Sequence, residues 1–173
     1  MPFDLVSPKG GYGHQGDLWS EIVPGLWMGG TGDRAQLGYP GSPEITNLHF
    51  DTVATLYANA LPVDWYVKEI RLGFYDHDKV DVDAQDLDQV VSAIHQDWSA
   101  GKRVLIRCQA GWNRSGLITG LVLMCAGYSA QEAINLIRER RSHHALCNQT
   151  FEQFLLDKAV SYTHLRAHET EAD

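Results

Sequence analysis

The stretch Cys108-Gln109-Ala110-Gly111-Trp112-Asn113-Arg114-Ser115 decides how the rest of this chain reads. A cysteine stands six residues before an arginine, with a glycine between them and a serine directly after. The apolar run Val104-Leu105-Ile106 leads in, and a helical pattern from Ser115 to Ala126 leads out. Strand, tight loop and helix N-terminus together make an anion site. Successive backbone N–H groups face inward, the helix dipole adds partial positive charge, and Gly111 permits a turn that other residues resist. A cysteine at the start of such a loop sits in a positive field that favours its thiolate. Arg114 carries a planar fork suited to two phosphate oxygens. A nucleophile beneath a phosphate cradle points to phosphoryl transfer through a cysteinyl-phosphate. The expected cradle is Gln109, Ala110, Gly111, Trp112, Asn113 and Arg114.

Outward from this loop, the chain alternates strand and helix signals. Residues 18–30 read as a short strand pair turning at Pro24-Gly25. Residues 31–49 hold Gly32, Gly38, Pro40, Gly41 and Pro43 and read as a loop. Thr52 to Tyr57 is β-rich, and Val67 to Leu72 reads as another strand with Val67, Ile70 and Leu72 facing a core. From Asp83 to Trp98, the apolar residues Leu87, Val90, Val91, Ile94 and Trp98 recur at helical spacing, and Asp83 and Asp86 suit the N-terminus of that helix. Gly101 ends that helix, and Arg103 to Cys108 is the central strand. Ser129-Ala130-Gln131-Glu132 is a capping box opening a helix to about Arg141, and Asn148 can cap a last helix carrying Phe151, Phe154 and Leu155. The expected architecture is an α/β domain with a mainly parallel central sheet and helices on both faces.

The loop and its surroundings resemble the dual-specificity branch of the cysteine-dependent protein phosphatases. The family motif is H-C-x-x-G-x-x-R-S/T, against Arg107-Cys108 through Arg114-Ser115 here. Ile22-Val23-Pro24-Gly25-Leu26-Trp27-Met28-Gly29 is similar to the family's I-x-P-G-L-Y-L-G. Ala133-Ile134 through Arg141, followed by Asn148 and Phe151, is similar to A-x-x-x-[IV]-R-x-x-R…N-x-x-F. The resemblance spans residues 18–159 and implies the cysteine-phosphatase fold. One position departs: the family's histidine before the nucleophile, which helps orient the loop and support the thiolate, is Arg107, which either keeps the positive field or points away and pairs with a carboxylate.

The resemblance also implies an acid, because expelling an alkoxide or phenoxide is easier with a proton in place. In the family an Asp on an upstream loop does this. Phe74-Tyr75-Asp76-His77-Asp78, with Asp81-Val82 after it, is similar to the family's D-x-x-x-x-[DN]-[IL] run and assigns the role to Asp76, with Asp78 the runner-up. Ser115 carries over to the family's hydroxyl that eases thiolate departure. Trp112 either walls the pocket or packs on the surface. The implied mechanism needs no metal or other cofactor, and His77, His143 and His144 are read as surface residues.

A net charge of −8 argues against bulk nucleic-acid binding and against an acidic membrane surface. No apolar run approaches the ~20 residues of a membrane span. The N-terminus lacks the apolar core of a secretory signal and reads as a flexible lead-in over residues 1–17. Three cysteines fit no disulfide framework and suit a reducing cytoplasm. Cys125 is expected in the core. Cys147 is expected to be buried, with a redox pairing to Cys108 as the alternative. Residues 160–173 resemble one reading frame of a transposase adapter used in sequencing libraries, and so are expected to be a non-native tail behind a domain of residues 18–159.

The leading expectation is therefore a cytoplasmic phosphatase acting on phosphotyrosine and on phosphoserine or phosphothreonine, with a phosphorylated protein as partner. Phosphoinositides, glucans and RNA 5′ ends are the other substrates served by related loops. A phosphate-binding pseudophosphatase and a rhodanese-like sulfur transferase stand as different classes. Arg107 is the feature favouring the former, and the Asp-bearing loop argues against the latter.

Overall fold

In a computed structural model of the chain, residues 5, 7, 8, 16–32 and 44–158 are described. Most of the expected lead-in, part of the glycine-rich loop at 31–49 and the proposed tail lie outside these residues. Five strands form one sheet in the order β1-β2-β5-β3-β4. They are β1 (Trp19–Val23), β2 (Leu26–Gly29), β3 (Thr52–Thr55), β4 (Lys68–Arg71) and β5 (Val104–Arg107). β1 and β2 form the antiparallel pair through Pro24-Gly25, and every other pairing is parallel. The strand that ends at Cys108 is thus the middle one, hydrogen-bonded on both sides. Its carboxyl end, like those of β2, β3 and β4, opens at one edge of the sheet, where α/β folds place their sites.

The helices are α1 (Ala84–Ser99), α2 (Arg114–Cys125), α3 (Ala130–Arg140) and α4 (residues 149–158). Their ends follow the local chemistry read from the sequence. The Asp83 side chain accepts from the amides of Gln85 and Asp86 and caps α1. Gly101, at φ +86°, terminates it. Ser129 and Glu132 form the reciprocal capping box of α3, and Asn148 Oδ1 accepts from the Phe151 amide at the start of α4. α2 is different: its cap residue Asn113 makes no side-chain bond to the helix amides, and every residue from Ser115 to Met124 is buried.

All four helices pack on one face of the sheet. Leu26, Met28, Ala54, Val104 and Ile106 share a core with Leu87, Ile94, Leu117, Leu121, Ile137, Phe151 and Leu155. Alternate residues of the same strands face the other way, as the two-residue repeat of a strand requires. There Val53 and Leu105 meet Leu18, Trp19, Ile45, Phe50 and Val67. Phe50 lies edge-on to Trp19 at 5.2 Å and to Trp27 at 6.0 Å. Helices on both faces were expected, but among the described residues the second face is covered by an aromatic cluster from non-helical segments.

Two cysteines also depart from expectation. Cys125 is exposed, because it is the last residue of α2, where the helix emerges from its layer. Cys147 is exposed too, on the chain between α3 and α4. No described helix is long and apolar enough to cross a membrane.

Candidate active site

Where β5 ends, the chain turns sharply and re-enters as α2. Cys108 is 2 % exposed. Its Sγ lies 3.3 Å from the Gly111 amide, which donates to it, and 3.3 Å from Ser115 Oγ, itself fully buried. A thiolate would accept from both. Because no side chain caps α2, its free N-terminal amides stay available to an anion. This is the one end among the four described helices where the chain leaves that need unmet, and it stands beside the cysteine.

The loop is held in shape from behind. Gly111 sits at φ +77°, and a Cβ there would come within 2.6 Å of the Gly30 nitrogen and 2.7 Å of Arg141 Nη2. A Cβ on Gly30 would lie 2.8 Å from the Gln109 carbonyl oxygen. The end of β2 therefore backs directly onto the loop, with Cys108 donating its amide to Gly29 and Thr31 donating to Gln109. Gly111→Ala is expected to destabilise the fold by about 2–4 kcal/mol, since both the backbone angle and the space oppose a side chain. A melting temperature unchanged from wild type would show that the loop relaxes freely.

Arg141 completes this backing and was not singled out as a functional residue from sequence. Its guanidinium donates to the carbonyls of Gly111 at 3.0 Å and Ala110 at 3.3 Å, and to Ser20 Oγ and Asp17 O on the β1 side. Drawing the loop carbonyls outward leaves the amides to face in. Burial lowers the guanidinium's ordinary basicity, while the nearby sulfur of Cys108 and Asp17 oppose that shift. The signal was present as the second arginine of the R-x-x-R segment, but its contacts lie some thirty residues away in sequence.

Cys108, Gln109, Ala110, Trp112, Asn113 and Arg114 line one cavity of about 670 Å³, together with Asp76 and Cys147. Gly111 lies behind it. Arg114 donates from Nη1 to the Phe74 carbonyl at 3.2 Å, and its Cζ is 5.3 Å from the centre of the Tyr57 ring. Its buried Nε has no hydrogen-bond partner among the described residues, a donor that an oxyanion would satisfy. Trp112 walls the cavity, with its ring 5.5 Å from that of His144.

Asp76 reaches the same cavity and Asp78 does not. Asp76 is gripped at both oxygens: Asn113 Nδ2 donates to Oδ2 at 2.9 Å and Asn148 Nδ2 to Oδ1 at 2.8 Å. The two asparagines are themselves linked, since Asn113 Oδ1 accepts from the Asn148 backbone N–H at 3.0 Å. Asn113 thus ties the upstream loop to the cysteine loop, a role its variable position in the motif did not suggest. The Asp78 side chain is 89 % exposed, 3.6 Å from His77 Nδ1. Cys147 Sγ lies 3.4 Å from Asn113 Nδ2.

Arg107 does not join the cysteine loop. It is 1 % exposed and donates to Thr55 Oγ1, to the Leu61 carbonyl and to Glu69 Oε2.

A buried cysteine at an uncapped helix N-terminus, with an arginine fork and a carboxylate across the same cavity, is the chemistry of a phosphatase. The family model for the dual specificity phosphatase catalytic domain matches residues 44–160, and the chain belongs to that family. A curated relative is "Putative tyrosine phosphatase 123R" of Invertebrate iridescent virus 6. It is 27 % identical over 126 residues, covering 71 % of this chain and 80 % of the viral protein. Human DUSP28 shares the fold with a TM-score of 0.67 at 20 % identity, covering 85 % of this chain and 95 % of that one. DUSP15 does so at 0.66 and 22 %, covering 88 % and 95 %. The chain is a phosphoric monoester hydrolase of this group.

Proposed function

We propose that the protein hydrolyses phosphotyrosine, and phosphoserine or phosphothreonine more slowly, through a cysteinyl-phosphate. The observation that carries this is the convergence of Cys108, Arg114 and Asp76 on one cavity. The Cys108 thiolate attacks phosphorus in line while Arg114 and the loop amides hold the equatorial oxygens. Asp76 gives its proton to the leaving oxygen and then takes one from the water that opens the intermediate. The Ser115 hydroxyl donates to the departing sulfur. Metal and cofactor have no part in these steps.

Substrate class follows from the walls. Tyr57, Tyr75 and Trp112 surround the cavity, and Arg114 is its sole Lys or Arg among the described residues. One phosphate and an aromatic body fit this lining better than an inositol polyphosphate or an RNA triphosphate, which need several cations. The three cysteines, none in a disulfide, suit a reducing compartment such as the cytoplasm. The net charge supports a protein substrate over bulk nucleic acid or a membrane surface. The family match ends at residue 160, which supports reading 160–173 as lying beyond the domain.

The test is a panel of phosphotyrosyl, phosphoseryl, phosphoinositide and RNA triphosphate substrates, with phosphotyrosyl peptide expected to turn over fastest. Preference for RNA triphosphate would displace this reading. Asp76→Asn should slow phosphotyrosyl or phosphoseryl turnover on the order of 10²-fold more than turnover of an activated aryl phosphate, whose leaving group needs no proton. Asp78→Asn should cause a small, uniform change. Steep leaving-group dependence appearing with Asp78 instead would transfer the acid role to it.

A further inference from the structure

Arg107 stands directly before the nucleophile, yet the pleat of β5 turns its side chain to the face opposite the four described helices. Leu105 and Arg107 share that face with Val53 and Thr55 of β3, as their pairing registers require. On β4, Glu69 pairs with Val53 and Arg71 with Thr55, so four polar groups meet at the carboxyl edge of the sheet. Glu69 is their hub. Its Oε2 accepts from Thr55 Oγ1 at 2.7 Å, from Arg107 Nη2 at 3.2 Å and from Arg71 Nη1 at 3.2 Å. Burial raises the Glu69 carboxyl, but Thr55, Arg71 and Arg107 together hold it below its ordinary value. Both guanidiniums spend their remaining donors on one segment. Arg107 Nη2 reaches the Leu61 carbonyl at 2.7 Å, and Arg71 Nη2 reaches those of Ala60 at 2.9 Å and Ala58 at 3.3 Å. The same segment, through Tyr57, Ala58 and Asn59, is a wall of the catalytic cavity.

We propose that Arg107, Glu69 and Arg71 form a positioning network that fixes the 57–61 wall, and so set how tightly the site holds the body of its substrate. The inference rests on the phosphatase reading of the cavity. Arg107 is not a group that tunes the nucleophile: none of its hydrogen bonds among the described residues goes to the loop from Cys108 to Arg114. Within the wall, the one backbone bond among the described residues is the turn from the Ala60 amide to Tyr57 O, and outside the network the Tyr57 ring lies against Arg114. Two fork-shaped donors gripping the carbonyls of Ala58, Ala60 and Leu61 supply rigidity that the peptide itself lacks.

Removing one partner of a buried pair strands the other. The main variant is therefore the neutral double substitution Arg107→Met/Glu69→Gln. Arg71→Gln, at a half-exposed side chain, reaches the wall from the other side without a buried charge at stake. Each is expected to raise KM for a phosphotyrosyl peptide about tenfold while kcat changes by less than about twofold. Inhibition by orthovanadate, which needs only the cradle, should be unchanged, as should the pH profile of Cys108 alkylation by iodoacetamide. Amide exchange at Tyr57 to Leu61 should accelerate in both. Vanadate inhibition apart, the alkylation and exchange readouts need no turnover, so a failure of the phosphatase reading leaves them intact and is distinguishable. A shifted alkylation profile, or an equal loss of kcat on every substrate with wall exchange unaltered, would overturn the proposal and give Arg107 the family histidine's role.

Discussion

Cys108→Ser is expected to abolish turnover, by about 10⁴-fold or more, while phosphotyrosyl peptide still binds. The two halves of that result have different causes. A serine hydroxyl in the same place remains un-ionised at neutral pH, so the attacking group is lost. The cradle is not, because Gly111, Arg114 and the α2 amides owe their positions to Arg141, Gly30 and the buried α2 rather than to the sulfur. Isothermal titration of the variant with peptide, beside its steady-state rate, makes both measurements. Substantial remaining activity would rule out a covalent intermediate on Cys108. Loss of binding would mean that the sulfur itself organises the loop.

Arg114→Ala should fail differently. It is expected to lower kcat/KM by about 10³-fold and to weaken orthovanadate inhibition in parallel, since the fork holds oxygens in both ground and transition states. Arg114→Lys keeps the charge but loses the planar pair of donors, and should recover only part of that loss. The structure adds a second consequence. Arg114 Nη1 holds the Phe74 carbonyl, two residues before Asp76, so the alanine variant also releases the segment that carries the acid. Leaving-group dependence should therefore steepen in Arg114→Ala relative to wild type. A loss confined to rate, with vanadate inhibition unchanged, would place the phosphate elsewhere.

The features legible in the sequence share one property: their causes lie within a few residues. The cysteine loop is announced by Gly111 and by the strand and helix at its ends. The Ser129 capping box, the Asp83 cap, the Gly101 stop and the Asn148 cap each act over three or four positions, and all stand as read. What escaped depends on pairing across the chain. The direction of Arg107, left open in the sequence between the positive field of the loop and a carboxylate elsewhere, follows from which strands flank β5, and its partner Glu69 is 38 residues away. The grip of Asn113 on Asp76 spans 37 residues, and that of Arg141 on Gly111 spans 30. That the four described helices share one face was missed because alternating strands show which residues turn outward, not what covers them. The exposure of Cys125 and Cys147 was missed because apolar neighbours in sequence do not say where an element surfaces.

The backing of the cysteine loop by β2 has a consequence for what counts as the inherited unit. The family match begins at residue 44, after β1 and β2. Yet β2 pairs along the whole length of β5, and Gly29 and Gly30 close the space behind Gly111. A segment cut at the start of the match would keep the whole cysteine loop and Asp76 while leaving β5 with an open edge and Gly111 with no floor. Arg141 would lose Ser20 and Asp17 in the same stroke. The matched span and the length of chain that completes the site are therefore different. Boundaries for transplanting, shuffling or truncating this domain belong ahead of Asp17, outside the matched span.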